Sequence, residues 1–187
     1  MKRWGQAIKT KIFVGGISGI FLTIVGLMFY VMTSMKIDVL ILCSSNEGGI
    51  RIPSSLCYNY MVNYRINEKD IKELSEGAGL DYILYVEGRN STEYELAKLF
   101  LAKGLDVDGV NHHSGYFDNK KFTPLQSAVV LNDVPRVKFL LEHGADVHLT
   151  GGKGITALEY AKKIHKAGSE RQDRTEIIQL LSDAEKP

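Results

Sequence analysis

The stretch FTPLQSAVVLNDVPRVKFLLEHGADVHL, residues 122–149, decides the fold class. Its punctuation predicts two short helices in succession. Thr123 can cap the first helix while Pro124 occupies its first turn, where a missing N–H costs nothing. Leu125, Ala128 and Val129 then fall on one stripe. Asp133 can cap a second helix whose stripe is Val137, Leu140 and Leu141. Gly144 follows the last helical turn, where a left-handed backbone stops a helix, and Asp146-Val147 starts the turn leading onward. Such a helix pair buries its apolar face only against neighbouring pairs.

Two further segments align with it. STEYELAKLFLAKGLDVDGVN begins at Ser91, and ITALEYAKKIHKAGSERQDRTEIIQLL begins at Ile155. Thr123-Pro124-Leu125 and Thr156-Ala157-Leu158 lie 33 residues apart. Gly104-Leu105-Asp106-Val107 and Gly144-Ala145-Asp146-Val147 lie 40 apart, one such period plus a seven-residue insertion. A fixed period of this size is the signature of a solenoid of helix pairs.

With these residues in view, the middle segment resembles the ankyrin repeat, in its TPL start, its Val-x-x-Leu-Leu helix and its HGADV end. The resemblance implies an all-α ankyrin-repeat solenoid of helix-turn-helix units with hairpin loops, over residues 80–184. It departs from the family pattern at Gln126 and Glu159, which stand where a His usually follows the Pro-Leu position. The first unit keeps its second helix and its Gly-x-Asp-Val turn, with Leu80–Glu87 as its first helix. The third carries an insertion around 166–173.

Upstream, residues 53–79 predict an N-terminal helical cap of two short helices, Pro53–Tyr64 and Asn67–Glu76, punctuated by Pro53, Asn67 and Gly77. Tyr58, Tyr60 and Tyr64 are expected to pack into core and cap. Residues 36–52 read as a linker, with Val39–Leu42 apolar enough for a short strand or a dip into a membrane interface. Residues 185–187 are a tail.

Residues 12–35, IFVGGISGIFLTIVGLMFYVMTSM, contain no charge. A helix of that length is about 36 Å long and spans a hydrocarbon core of about 30 Å with some tilt. The run is too long for the apolar part of a cleaved signal, and Met32-Thr33-Ser34 is a poor cleavage site. An uncleaved transmembrane helix is therefore expected. Lys2, Arg3, Lys9 and Lys11 make residues 1–11 a basic flank without an acid, which stays cytoplasmic and sends the rest to the periplasmic side of the inner membrane. Gly15 and Gly19 have the spacing of a helix dimerisation face.

The chain has 23 basic and 22 acidic residues, so no strong overall field points to nucleic acid. Without the four flank charges the remainder is mildly acidic. Cys43 and Cys57 are the only cysteines, and both follow the apolar run. An oxidising compartment favours a disulfide between them.

No constellation of catalytic type stands out, no cofactor is expected, and the chain is not read as an enzyme. Gly151-Gly152-Lys153-Gly154 lacks the spacing and Ser/Thr of a phosphate-binding loop and sits at a hairpin position. His112, His113 and Asp118 lack a third ligand at helical spacing, so no metal is expected. The inserted loop NHHSGYFDNKKF, residues 111–122, is the most conspicuous departure, and such loops carry function. A protein-binding surface is therefore expected at His112, His113, Tyr116, Phe117, Asp118 and Lys120, with Gln126 and Glu159 beside it. Tyr116 and Phe117 would serve as aromatic anchors.

Small membrane-anchored periplasmic proteins of the ankyrin family resemble immunity proteins, which neutralise secreted antibacterial effectors such as type VI phospholipases. That resemblance implies binding to a toxin. The alternative is a scaffold that organises an envelope protein complex.

Overall fold

The structure is a computed structural model that describes residues 19–77, 79–88, 94–112, 121–152, 154–167 and 173–186. Among these the secondary structure is entirely helical. The helices are α1 (19–34), α2 (Ile37–Ser44), α3 (Ser54–Tyr64), α4 (Glu68–Glu76), α5 (Gly79–Glu87), α6 (Glu95–Ala102), α7 (Pro124–Leu131), α8 (Val134–Glu142), α9 (Ala157–Ala167) and α10 (Thr175–Ala184). The chain divides into two compact units, Met1–Tyr60 and Met61–Pro187.

In the first unit, α1 carries a row of exposed large apolar side chains from Ile20 to Val31, and burial begins at Met32. Among the described residues no helix is long and apolar enough to cross a membrane. The expected span began at residue 12, and residues 12–18 lie outside the described part, as does Gly15 of the expected dimer face. The described helix stops at residue 34.

The expected linker is partly helical. Ile37, Leu40 and Ile41 recur at the three-four spacing of a helix, and all three are buried in α2 together with Cys43. A strand at Val39–Leu42 would have sent neighbouring apolar residues to opposite faces. Cys43 and Cys57 are joined as a disulfide with Cα atoms 5.8 Å apart, which ties α2 to the start of α3. The tyrosines of α3 differ from expectation. Cys57 and Met61, four residues apart, take the buried stripe, so Tyr58 is partly exposed and Tyr64 is 69% exposed. Tyr60 meets the edge of Phe29 with ring centroids 6.2 Å apart.

The second unit is a stack. α4 packs on α5, and α5, α7 and α9 form one row. α8 packs on α7, α10 packs on α9, and α8 and α10 pack on each other in a second row. Local chemistry sets each helix end. Asn67 caps α4 by accepting from the N–H groups of Lys69 and Asp70. Thr123 and Gln126 form a reciprocal capping box on α7 with Pro124 in its first turn. Asp133 accepts from the Arg136 N–H at the start of α8. Gly104 and Gly144 both take positive φ, 94° and 83°, and the next residue donates back into the helix in each case, Leu105 to Phe100 and Ala145 to Leu140.

α7 is buried nearly all round, including Pro124, Gln126 and Ser127, because α5, α8 and α9 cover it. On α8 the buried set is Arg136, Val137, Phe139 and Leu140. Leu141 is only half-buried, and Phe139 takes the inward place, packing on Tyr94 at 4.9 Å between centroids.

Candidate partner-binding surface

Successive units are joined through their turns. The Asp106 carboxylate accepts from the Asp108 N–H, and the Asp146 carboxylate accepts from the His148 N–H in the same way 40 residues later. The Asp108 carboxylate in turn accepts from the Asp146 N–H with both oxygens, at 3.2 and 3.1 Å, linking one turn to the next. His112 N–H donates to the Gly77 carbonyl at 2.8 Å, and Gly152 N–H donates to the Lys121 carbonyl at 2.7 Å. Each bond ties the end of one turn to the segment that leads into the preceding first helix. A Cβ on Gly151 would collide with the Gln126 amide, and one on Gly152 would press on the Lys121 backbone. The glycines of this turn thus serve close backbone approach.

The expected surface residues are distributed as follows. His112 is exposed, with its N–H used in the bond just described. His113, Tyr116, Phe117, Asp118 and Lys120 lie outside the described residues. Gln126 points inward. It is 1% exposed, accepts from the Thr123 N–H and donates to the Ile155 carbonyl at 2.7 Å, so it holds the third unit to the second. Glu159 is exposed at the equivalent helix position, and its carboxylate accepts from the Thr156 N–H while Thr156 Oγ1 accepts from the Glu159 N–H. The two departures from the usual His are therefore both capping residues, 33 positions apart.

Residues 120–151 match the ankyrin repeat family model. The matched repeat contains α7 and α8; its capping pair recurs after it at Thr156 and Glu159, and its turn recurs before it at Gly104–Asp108. Ankyrin repeats are generally protein-interaction modules, and this one points to a protein partner for the chain. No curated protein matches the chain.

Around the matched repeat lies a set of buried polar residues that the sequence pattern gave no sign of. Arg136, at the start of α8, is 3% exposed and donates through Nη2 to the Leu84 carbonyl at 3.1 Å, near the C-terminal end of α5. Arg174, just before α10, is 6% exposed and donates to the Val129 and Val130 carbonyls at 3.0 and 3.1 Å, near the end of α7. In both cases an arginine of one unit satisfies last-turn carbonyls of the preceding first helix, where a cation also suits the dipole. Glu87 plays the complementary part for α6. Its two carboxylate oxygens accept from the N–H groups of Leu96 and Ala97, because the N-cap residue Tyr94 makes no side-chain cap. Burial pushes the Glu87 carboxyl above its ordinary range, and those two N–H donors oppose the shift.

Arg136 also faces acids. Its Nη1 lies 3.8 Å from Asp81 Oδ1, and its Nε lies 3.4 Å from Asp133 Oδ2. Asp81 Oδ1 and these two nitrogens have no hydrogen-bond partner among the described residues. Burial raises the Asp81 carboxyl to about 6, against the pull of Arg136 and of hydrogen bonds with Ser127 and Asn111. The folded state therefore binds a proton on Asp81 more tightly than the unfolded chain does. Stability from this group is fully present below the ordinary value of 3.8 and is lost as pH rises through about 6. We predict that stability falls between pH 4 and pH 6 by an amount of order 1–3 kcal/mol from this group. Denaturant titrations across that window should reveal the slope, and Asp81→Asn should flatten it.

Among the described residues no three His, Cys, Asp or Glu side chains are grouped to hold a metal ion. What the described arrangement does chemically is present backbone-anchored turns and exposed helix faces on a stack of helix pairs.

Proposed function

We propose that this protein is a membrane-tethered immunity protein, whose ankyrin-type stack binds and neutralises a secreted antibacterial effector, of which a type VI phospholipase is one fitting class. The observation that carries the reading is the ankyrin repeat match at 120–151, flanked by helix pairs of which the later repeats its capping pair and the earlier its turn. A stack of this kind acts by occupying a partner.

The tether is supported by the charge-free run 12–35 and by the exposed apolar side chains of its described part. The basic flank supports a cytoplasmic N-terminus, with the stack on the periplasmic side. Tethering beside the inner membrane raises the effective concentration of the stack where a lipid-attacking enzyme works. The inserted loop supplies the contact, with Tyr116 and Phe117 as anchors. Tyr116→Ala and Phe117→Ala are each expected to weaken partner binding by about 1–3 kcal/mol without loss of folding, as titration calorimetry with circular dichroism would measure.

Deleting the gene tests the role. The deletion strain should be killed by a sibling that delivers the effector and rescued by the intact gene. Unchanged survival against every effector-bearing sibling, together with recovery of the protein in a stable endogenous complex, would replace immunity by the scaffold reading.

A further inference from the structure

The last helix pair carries its charge in an unusual way. α9 presents Lys162, Lys163 and Lys166 to solvent, and Lys166 lies four and three residues after the adjacent pair, so that it shares their face. Its one acid, Glu159, has its carboxylate turned back onto the Thr156 N–H. His165 is occupied as well, since its Nδ1 accepts from the Arg174 N–H at 3.3 Å and lies 3.6 Å from Asp173. α10 bears the opposite sign, with Glu176 and Asp183 and no base.

Elsewhere in this unit several exposed lysines sit beside a carboxylate. Lys72 pairs with Glu76, Lys98 with Glu95, Lys138 with Glu176 and Lys186 with Asp183. The three lysines of α9 make no ion pair among the described residues. A terminal repeat needs a polar outer face for solubility, and mixed charges serve that need. Glu159 shares this face but turns its carboxylate to the Thr156 N–H rather than to a lysine, so three cations stand against one anion. A face with an excess of one sign does something more, because it selects and steers an oppositely charged partner. The exposed large apolar side chains of the described residues lie on α1, α3, Leu131 and Leu149, and none lies on α9. The face is therefore built to meet charge without inserting into a lipid layer.

Resting on the reading that the stack binds protein, we propose that Lys162, Lys163 and Lys166 on α9 form a docking subsite for an acidic segment of the partner, a run of Asp and Glu side chains lying against the last repeat. The subsite contributes salt-sensitive association, and affinity at this face falls as ionic strength rises.

The test uses the full-length protein in detergent micelles and a fluorescent octaglutamate peptide, followed by anisotropy at low and physiological salt. The native protein should bind saturably at low salt. Lys162→Gln/Lys163→Gln/Lys166→Gln should lose about tenfold or more in affinity. A control with the same charge change on other exposed lysines, Lys69→Gln/Lys72→Gln/Lys103→Gln, should stay within about twofold. Circular dichroism of both variants reads folding. Absence of saturable peptide binding overturns the proposal, and so does an equal loss in the two variants. Binding to phosphatidylglycerol vesicles that requires the α9 lysines, with no binding to the peptide, overturns it in favour of a lipid contact. None of these results bears on whether deletion sensitises the cell, so a failure here is distinguishable from a failure of the immunity reading.

Discussion

Arg136→Met is expected to destabilise the second unit by about 3–5 kcal/mol near pH 8, among the largest effects of any single substitution in the stack. Methionine keeps most of the volume, so the loss is electrostatic. It strips the Leu84 carbonyl of a charged donor and leaves Asp81 buried without its cation. The cost should shrink towards pH 5, because the Asp81 carboxyl, already raised to about 6 by burial, then takes up a proton and becomes neutral. The double variant Asp81→Asn/Arg136→Met should recover part of the loss, since an acid that is absent needs no counter-charge. Denaturant midpoints of the four proteins at both pH values measure this. A single variant as stable as the native chain, at both values, would mean that Arg136 does not hold α8 to α5.

Reducing the Cys43–Cys57 disulfide, or replacing both residues by serine, is expected to cost about 3 kcal/mol in the chain-entropy picture for a loop of this size. The two cysteines lie 14 positions apart, and the loop they close, Ser44–Leu56, is rich in glycine and serine and so loses much freedom when closed. Both are fully buried, so native protein should resist alkylation until it is reduced. The reduced protein should fray first in α2, which the bridge ties to α3 and whose Leu40 and Ile41 are fully buried. Amide exchange in α2 that does not change on reduction would remove that role from the disulfide.

The helix pairs were legible because their signals are local. Thr123, Asp133, Gly104 and Gly144 act within four or five residues of themselves, and a cap or a left-handed stop reads the same in the sequence as in the fold. The joints between units were not legible. Arg136 reaches Leu84 across 52 positions and Arg174 reaches Val129 across 45, and no local pattern marks an arginine that will be buried. Gln126 misled for a related reason. Its departure from the family pattern suggested a surface role, whereas its amide joins a capping box to the Ile155 carbonyl 29 positions away. Glu87 reaches the start of α6 nine positions on, too far for a capping motif to reveal it. The tyrosines of α3 were assigned inward on aromatic character alone, while the positions of Cys57 and Met61 set the buried stripe. No local pattern marks the α9 lysines, because it is the bonds of Glu159 and His165 to the Thr156 and Arg174 N–H groups that show how the groups beside them are used.

The proposed function requires the stack to occupy a protein partner. Light scattering during size exclusion tests it most directly, with full-length protein in micelles mixed with the effector that kills the deletion strain. A complex of defined stoichiometry is expected, in which the effector's activity is suppressed and which dissociates when Tyr116 and Phe117 are replaced by alanine. Separate elution of the two proteins at micromolar concentration, with the cells still protected, would contradict it.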